Sequence, residues 1–276
     1  EDINRLIDSL LNDEELVKPD TVRFTTGISS VSDFSKDNTD RNRTSPFALT
    51  GNKFEYRAVG SSQSIAGSNT ILNAILAHEM NEMIRMIDEG QNVMEIIKAF
   101  LKNHSRVIFD GDGYSKEWEE EAARRGLPNR KNTVDAISHL KDEANMQMLT
   151  QLGIYNETEL ESRYDILLEG YTKTIRVEAL TSLKMVKNEI YPAIVKYIER
   201  LASTANALSA SNISNEFLID DLTEFSKLMS DVKSAIRELE VAVYEFDHST
   251  NPVLEKSIFA RDNIVTAMAK LRKLVD

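Results

Sequence analysis

The sequence predicts a mainly α protein with a small antiparallel β part. Three patterns carry that reading. Apolar residues recur every three to four positions over most of the chain after residue 70, a four-three seam runs unbroken from Leu218 to Phe246, and one short stretch, Lys53 to Arg57, has a period of two. With 276 residues the chain can bury a substantial core, and its length alone allows one or two domains. A composition of 41% apolar and 28% charged residues is ordinary for a globular protein and too hydrophobic for disorder. The net charge of -12 argues against a surface that holds nucleic acid by its phosphates. No cysteine is present, which excludes disulfides and cysteine-based metal or redox sites. There is neither an apolar run of roughly 18 residues nor a charged-then-apolar leader, so no membrane partner and a cytoplasmic location are expected.

Taken in order, Asp2 to Leu11 reads as a short amphipathic helix with Ile3, Leu6, Ile7, Leu10 and Leu11 on one side. A loop follows to Pro19-Asp20, and Thr21 to Ser32 is rich in β-branched residues around a turn at Gly27. Gly60 to Ser68 is a small-residue loop, after which Ser68, Asn69 or Thr70 can cap a helix striped by Ile71, Leu72, Ile75, Leu76, Met80, Met83, Ile84 and Ile87. That helix should stop at Gly90, with a second from Gln91 to Lys102. Its methionines read as core, not as soft metal ligands. Asp110-Gly111-Asp112-Gly113 resembles the opening of a calcium loop, but Tyr114 stands where an oxygen ligand is needed and Ser115 where glycine is needed. It is therefore read as a tight turn before a helix from Lys116 to Arg125, packed down by Trp118 and stopped by Gly126-Leu127-Pro128. Short helices are expected around Val134 to Leu140 and Glu143 to Leu152. Asn156 and Glu159 form a capping-box pair at the start of a helix that can reach Leu208, bent or broken near Pro192. The seam residues from Leu218 to Phe246 define the next helix, and Asn251-Pro252 opens a third with Leu254, Ile258, Val265, Met268, Leu271 and Val275 on its seam. Short loops between them favour antiparallel neighbours in a bundle.

The polar stretch Asp37 to Arg57 carries the chemistry. Thr50-Gly51-Asn52 is a turn signal, so Thr44 to Leu49 can pair back on Lys53 to Arg57. Alternation sends Lys53, Glu55 and Arg57 to one face and Phe54 and Tyr56 to the other, which is expected to be buried. Arg41 and Arg43 arrive from just upstream. A guanidinium donates a rigid fork that suits phosphate, and a carboxylate oxygen among cations suits a hard divalent ion. A strand with Lys, Glu and Arg on one face is more often merely half-buried with a solvated side, and spacing alone does not decide between the two.

The wording of the stretch does. Asn42-Arg43-Thr44-Ser45-Pro46, then Thr50-Gly51-Asn52-Lys53-Phe54-Glu55-Tyr56-Arg57 and Gly60-Ser61-Ser62, closely resembles the late catalytic segment of glutamine synthetases of the long, type III form. The resemblance continues through Asn69 to Asn73, Gly111 to Trp118 and Ser162 to Glu169, and fades after about Leu201. It implies the C-terminal part of an α/β barrel domain followed by a long-helix bundle. The implied division is helix and loop at 1–20, the late part of the barrel at 21–110, a short-helix connector at 111–155 and the bundle at 156–276. It also implies an ATP-dependent glutamate–ammonia ligase using Mg²⁺ or Mn²⁺, with glutamate and ammonium as substrates, assembled into rings as a homo-oligomer, a dodecamer. By resemblance Glu55 is a metal ligand, Arg57 contacts the transferring phosphoryl, Arg43 reaches the phosphates, and Lys53 is a further basic contact on the nucleotide side. This chain departs from shorter relatives in carrying Phe47-Ala48 where they have another arginine. The Glu-x-Glu metal pair, the histidine-containing metal segment, the acidic flap and the β-grasp domain of such enzymes are not in it, so the fragment alone should not turn over. The other reading is a helical oligomerisation or interaction module with no catalysis of its own.

Overall fold

The computed structural model describes residues 2–14, 23–24, 27, 34–35, 47–49, 54–57, 63–109 and 111–276. They fall into two compact units, 1–129 and 130–276. The mainly α class holds: among the described residues strands amount to two pairs of two or three residues each.

In the first unit α1 spans Asp2–Leu11, the bounds read from its apolar spacing. β1 (Arg23–Phe24) pairs antiparallel with β2 (Phe34–Ser35). β3 (Phe47–Leu49) pairs antiparallel with β4 (Phe54–Tyr56), setting Phe47 opposite Tyr56, Ala48 opposite Glu55 and Leu49 opposite Phe54. The Thr50-Gly51-Asn52 turn lies outside the described residues. α2 (Ala66–Asp88) starts earlier than the expected caps at Ser68 to Thr70. The Ser64 hydroxyl accepts from the Ala66 N–H at 3.2 Å, and the Thr70 hydroxyl donates back to the Ala66 carbonyl at 2.9 Å. A hydroxyl satisfied in that way sits inside a helix instead of opening one. Gly90, at φ +88, turns the chain into α3 (Val93–His104), whose first turn is capped by the Asn92 side chain accepting from Met94 N–H at 2.8 Å.

Ahead of α4 (Lys116–Arg124), Asp112 accepts from the Tyr114 N–H at 3.0 Å and Ser115 from the Trp118 N–H at 3.2 Å. The acidic loop is thus a turn and a cap. Trp118 stacks on Phe109 with ring centroids 4.2 Å apart, as its packing role requires.

The second unit opens with α5 (Thr133–Ile137), a tight turn at Ser138–Lys141 and α6 (Glu143–Gln151). α7 (Glu157–Met185) begins with the reciprocal Asn156–Glu159 capping box. It passes through a wide π-helical turn at Val186–Ile190 into α8 (Tyr191–Ala210). Pro192 explains the interruption, since it lacks the N–H that would bond the carbonyl four residues back and its ring crowds that carbonyl. α9 (Glu216–His248) returns along α8, and its seam is buried at Leu218, Val232, Ile236, Leu239, Val243 and Phe246. Val232, Ile236, Leu239, Val243 and Phe246 pack with Ala179, Leu183 and Val186 and with Ala260, Ile264 and Leu271 as one core.

The last helix corrects the sequence reading. α10 (Val253–Phe259) and α11 (Thr266–Val275) are joined by a second wide turn at Ala260–Val265. The fully buried positions are Ser257, Ala260, Ile264 and Leu271, whereas Ile258 is 37% exposed. The buried line is therefore one residue out of phase with the expected Ile258 and Val265, whereas Met268, Leu271 and Val275 lie in or against the core as expected. Ser257 conceals it: a serine reads as surface, yet its hydroxyl donates to the Val253 carbonyl at 2.7 Å and so needs no water.

Ion pairs ring this core. Arg176 grips Asp247 with two bonds of 2.6 and 2.8 Å, Lys187 meets Glu240 at 2.6 Å, and Arg261 reaches Asp135 at 2.5 Å. The Arg176 hydrogen bond holds the Asp247 carboxyl below its ordinary range, against the opposing effect of partial burial. A carboxylate with a folded-state pKa below its unfolded value stabilises the fold above the unfolded value, about 3.9, and that contribution is lost as pH falls through the folded one. Both side chains are partly exposed, so the effect should be roughly 0.2–1 kcal/mol. Urea midpoints are expected to fall more shallowly below about pH 4 in Asp247→Asn than in the wild type; identical slopes would show that the pair contributes nothing.

Candidate functional site

Glu55 and Arg57 are brought together as their alternation implies. Residues two apart on a strand share a face, and Arg57 Nη2 donates to Glu55 Oε2 at 2.9 Å. The pair is half-buried, with side chains 24% (Arg57) and 36% (Glu55) exposed. A bonded guanidinium holds a carboxylate in one orientation. Arg43 and Lys53 lie outside the described residues, as do Arg41 and the side chain of Phe54. Tyr56, expected in a buried aromatic face, is 47% exposed. A ribbon of two three-residue strands has too little area to bury a whole face.

Among the described residues no group of three His, Asp or Glu side chains could hold a metal ion. Three of the four histidines have other partners: His104 lies against Phe100 at 5.8 Å, His139 bonds Asp142 at 2.6 Å, and His248 stacks on Tyr244 at 4.0 Å. Glu55 thus offers one hard oxygen donor. A single carboxylate leaves Mg²⁺ mostly hydrated, so this donor set fits the cation as one ligand among others supplied from elsewhere.

Periodicity does not reveal a second cluster. Arg125 donates to the carbonyls of Arg106 and Ile108 at 3.1 and 2.7 Å, is held by Glu121 at 2.5 Å, and lies over the Trp118 ring at 5.6 Å. Glu121 is shared with Arg124, whose hydrogen bond, ahead of that of Arg125, holds the carboxyl below its usual range. The four-residue spacing of Glu121 and Arg125 is the one sequence signal for it. Gly111 belongs here too, because a Cβ at that position would fall 2.8 Å from the Phe109 ring. The Gly111 to Trp118 motif is therefore a buttress. So is Ser162 to Glu169, where Arg163 covers the Tyr155 ring at 4.3 Å and Lys141 covers Tyr164 at 4.8 Å.

Residues 92–209, from the start of α3 to the end of α8, match the glutamine synthetase C-terminal domain family. The whole chain is 32% identical to the type-3 glutamine synthetase of Dictyostelium discoideum, covering 39% of that protein. It is 33% identical to the glutamine synthetases of Bacteroides fragilis and Butyrivibrio fibrisolvens, with 91% and 88% of this chain aligned and 36% of each relative covered. These matches make the chain similar to the glutamine synthetase family. Within it, the chain is similar over its full length to the type-3 form, of which it spans about two-fifths.

Proposed function

We propose that the chain is the C-terminal part of an ATP-dependent glutamate–ammonia ligase, and that Glu55, Arg57, Arg43 and Lys53 serve its nucleotide-side site. The observation that carries this reading is the half-buried Glu55–Arg57 pair, 2.9 Å apart, within the stretch whose wording matches the family. In the reaction a side-chain carboxylate oxygen of glutamate attacks the γ-phosphorus of ATP and ADP leaves. Ammonia then attacks the acyl carbon of the resulting acyl phosphate, and inorganic phosphate departs. Negative charge gathers on the phosphoryl oxygens throughout, and fixed guanidinium groups stabilise it without reorganising. Arg57 and Arg43 have that role here. Lys53 adds a point charge that cannot replace an arginine fork. Glu55 supplies one oxygen to a divalent cation, Mg²⁺ or Mn²⁺, which when bound neutralises phosphate charge. Arg57 holds that carboxylate in one orientation.

The remaining ligands and the ammonium-deprotonating acid belong to other parts of a protein of the relatives' length, and such proteins work as ring-shaped homo-oligomers in this reading. A polypeptide of that length containing this chain should form glutamine from glutamate, ammonium and ATP with Mg²⁺, while the 276-residue chain alone should form none. Absence of glutamine from the long polypeptide, folded and supplied with all substrates, would contradict the assignment.

A further inference from the structure

We infer that two copies of this chain pair face to face through the arm formed by α8 and the first half of α9, each copy seating its Phe217 in an apolar groove of the other. The inference goes beyond the ligase reading and does not depend on it. Between residues 191 and 231 the buried residues are Ala205 and Leu218, and the buried seam of α9 resumes at Val232. The arm is thus far less covered than the bundle it extends from. One side of it holds an open groove of about 460 Å³ lined by Ile190, Ala193, Ile194, Tyr197, Phe225 and Leu228. Tyr197 meets Phe225 edge-on with ring centroids 5.1 Å apart and is itself 48% exposed. Toward the tip of the arm, Phe217 is 61% exposed. Apolar surface gathered in this way marks an interaction site.

Spacing puts the knob and the groove on one face. Phe217, Asp221, Glu224 and Leu228 follow at steps of four, three and four along α9, and Ala193, Tyr197, Arg200 and Thr204 do the same along α8. Phe217 lies eight residues, about 12 Å, from Phe225, which stands level with Tyr197. Arg200 and Asp221 are therefore level with each other, about midway between knob and groove. A two-fold axis at that midpoint sets each Phe217 over the other copy's groove and each Arg200 over the other copy's Asp221. An isologous contact requires such self-complementarity, and here the order apolar, charged, apolar reads the same from either end. Charge agrees with it. The arm's part of α8 carries Lys196, Glu199 and Arg200, whereas α9 from Glu216 to Glu224 carries four acids and no base. Crossing the copies lays the more basic helix on the acidic one. Among the described residues neither Arg200 nor Asp221 has an ion-pair partner within the chain.

A face two helices wide and about 20 Å long is small for a protein interface, so the pairing should be a concentration-dependent equilibrium. Sedimentation velocity of the 276-residue chain, from micromolar to submillimolar concentration, measures it. A dimer is expected to form as concentration rises. Phe217→Ala removes the anchor and Arg200→Glu sets like charges against each other, so each should weaken the dimer at least about tenfold. Adding Asp221→Arg to Arg200→Glu exchanges the charges and should recover most of that loss. These are surface changes, and far-UV circular dichroism checks that each variant keeps its helices. A monomer at every concentration would overturn the proposal and leave the groove to a different protein. So would a dimer indifferent to Phe217→Ala, or a charge-exchanged dimer no stronger than Arg200→Glu alone. Turnover enters none of these readouts, so their failure would leave the ligase reading where it stands.

Discussion

In a polypeptide of the relatives' length, Glu55→Gln should lower the rate of glutamine formation by about 10²–10³, the range seen when one preorganised electrostatic group is removed from a reaction centre. Glutamine preserves the shape and one acceptor oxygen but removes the negative charge that a divalent cation requires. The thermal midpoint should barely move, because the pair is half-buried and such substitutions are usually worth within about 0.5 kcal/mol. Arg57→Lys keeps the charge and loses the fork, so turnover should fall at least about tenfold, less than for Glu55→Gln. Steady-state rates with Mg²⁺ at saturating ATP and glutamate measure both. Wild-type turnover in Glu55→Gln would remove this residue from the chemistry, and unchanged turnover in Arg57→Lys would reduce Arg57 to a surface partner of Glu55.

The second large effect concerns the bundle. Leu271→Ala should destabilise the 276-residue chain by roughly 2–5 kcal/mol, the cost of a lost side chain plus the cavity it leaves in a close-packed core. Leu271 is 1% exposed, whereas Ile258, which the sequence places on the same seam, is 37% exposed. Ile258→Ala should therefore cost much less, on the order of 1 kcal/mol or below. Urea unfolding followed by far-UV circular dichroism compares the two directly. Equal losses, or a larger loss at Ile258, would mean that the last helix is turned as periodicity suggests and not as the structure has it.

The contrast between those residues shows what is legible in a sequence and what is not. Helices announce themselves wherever local chemistry and periodicity agree: α1 by its apolar spacing, α7 by Asn156 and Glu159, and the break after it by Pro192. They mislead where a polar side chain satisfies itself internally. Thr70 bonds back to its own helix and so looks like a cap, and Ser257 bonds back and so looks like surface. The Arg125 cluster joins residues 17 and 19 positions apart through backbone carbonyls, a relation that neither spacing nor propensity encodes. At the candidate site, the adjacency of Glu55 and Arg57 follows from strand alternation. The exposure of Tyr56 does not follow, because burial of a strand's second face depends on what else the sheet contains.

The proposal stands or falls on whether Glu55 touches a metal. Mn²⁺ titration of a polypeptide of the relatives' length, followed by electron paramagnetic resonance with and without Glu55→Gln, addresses that without relying on turnover. The expected result is that one bound Mn²⁺ weakens at least tenfold in the variant while the protein keeps its fold. Identical stoichiometry and affinity in the two proteins would contradict the assignment.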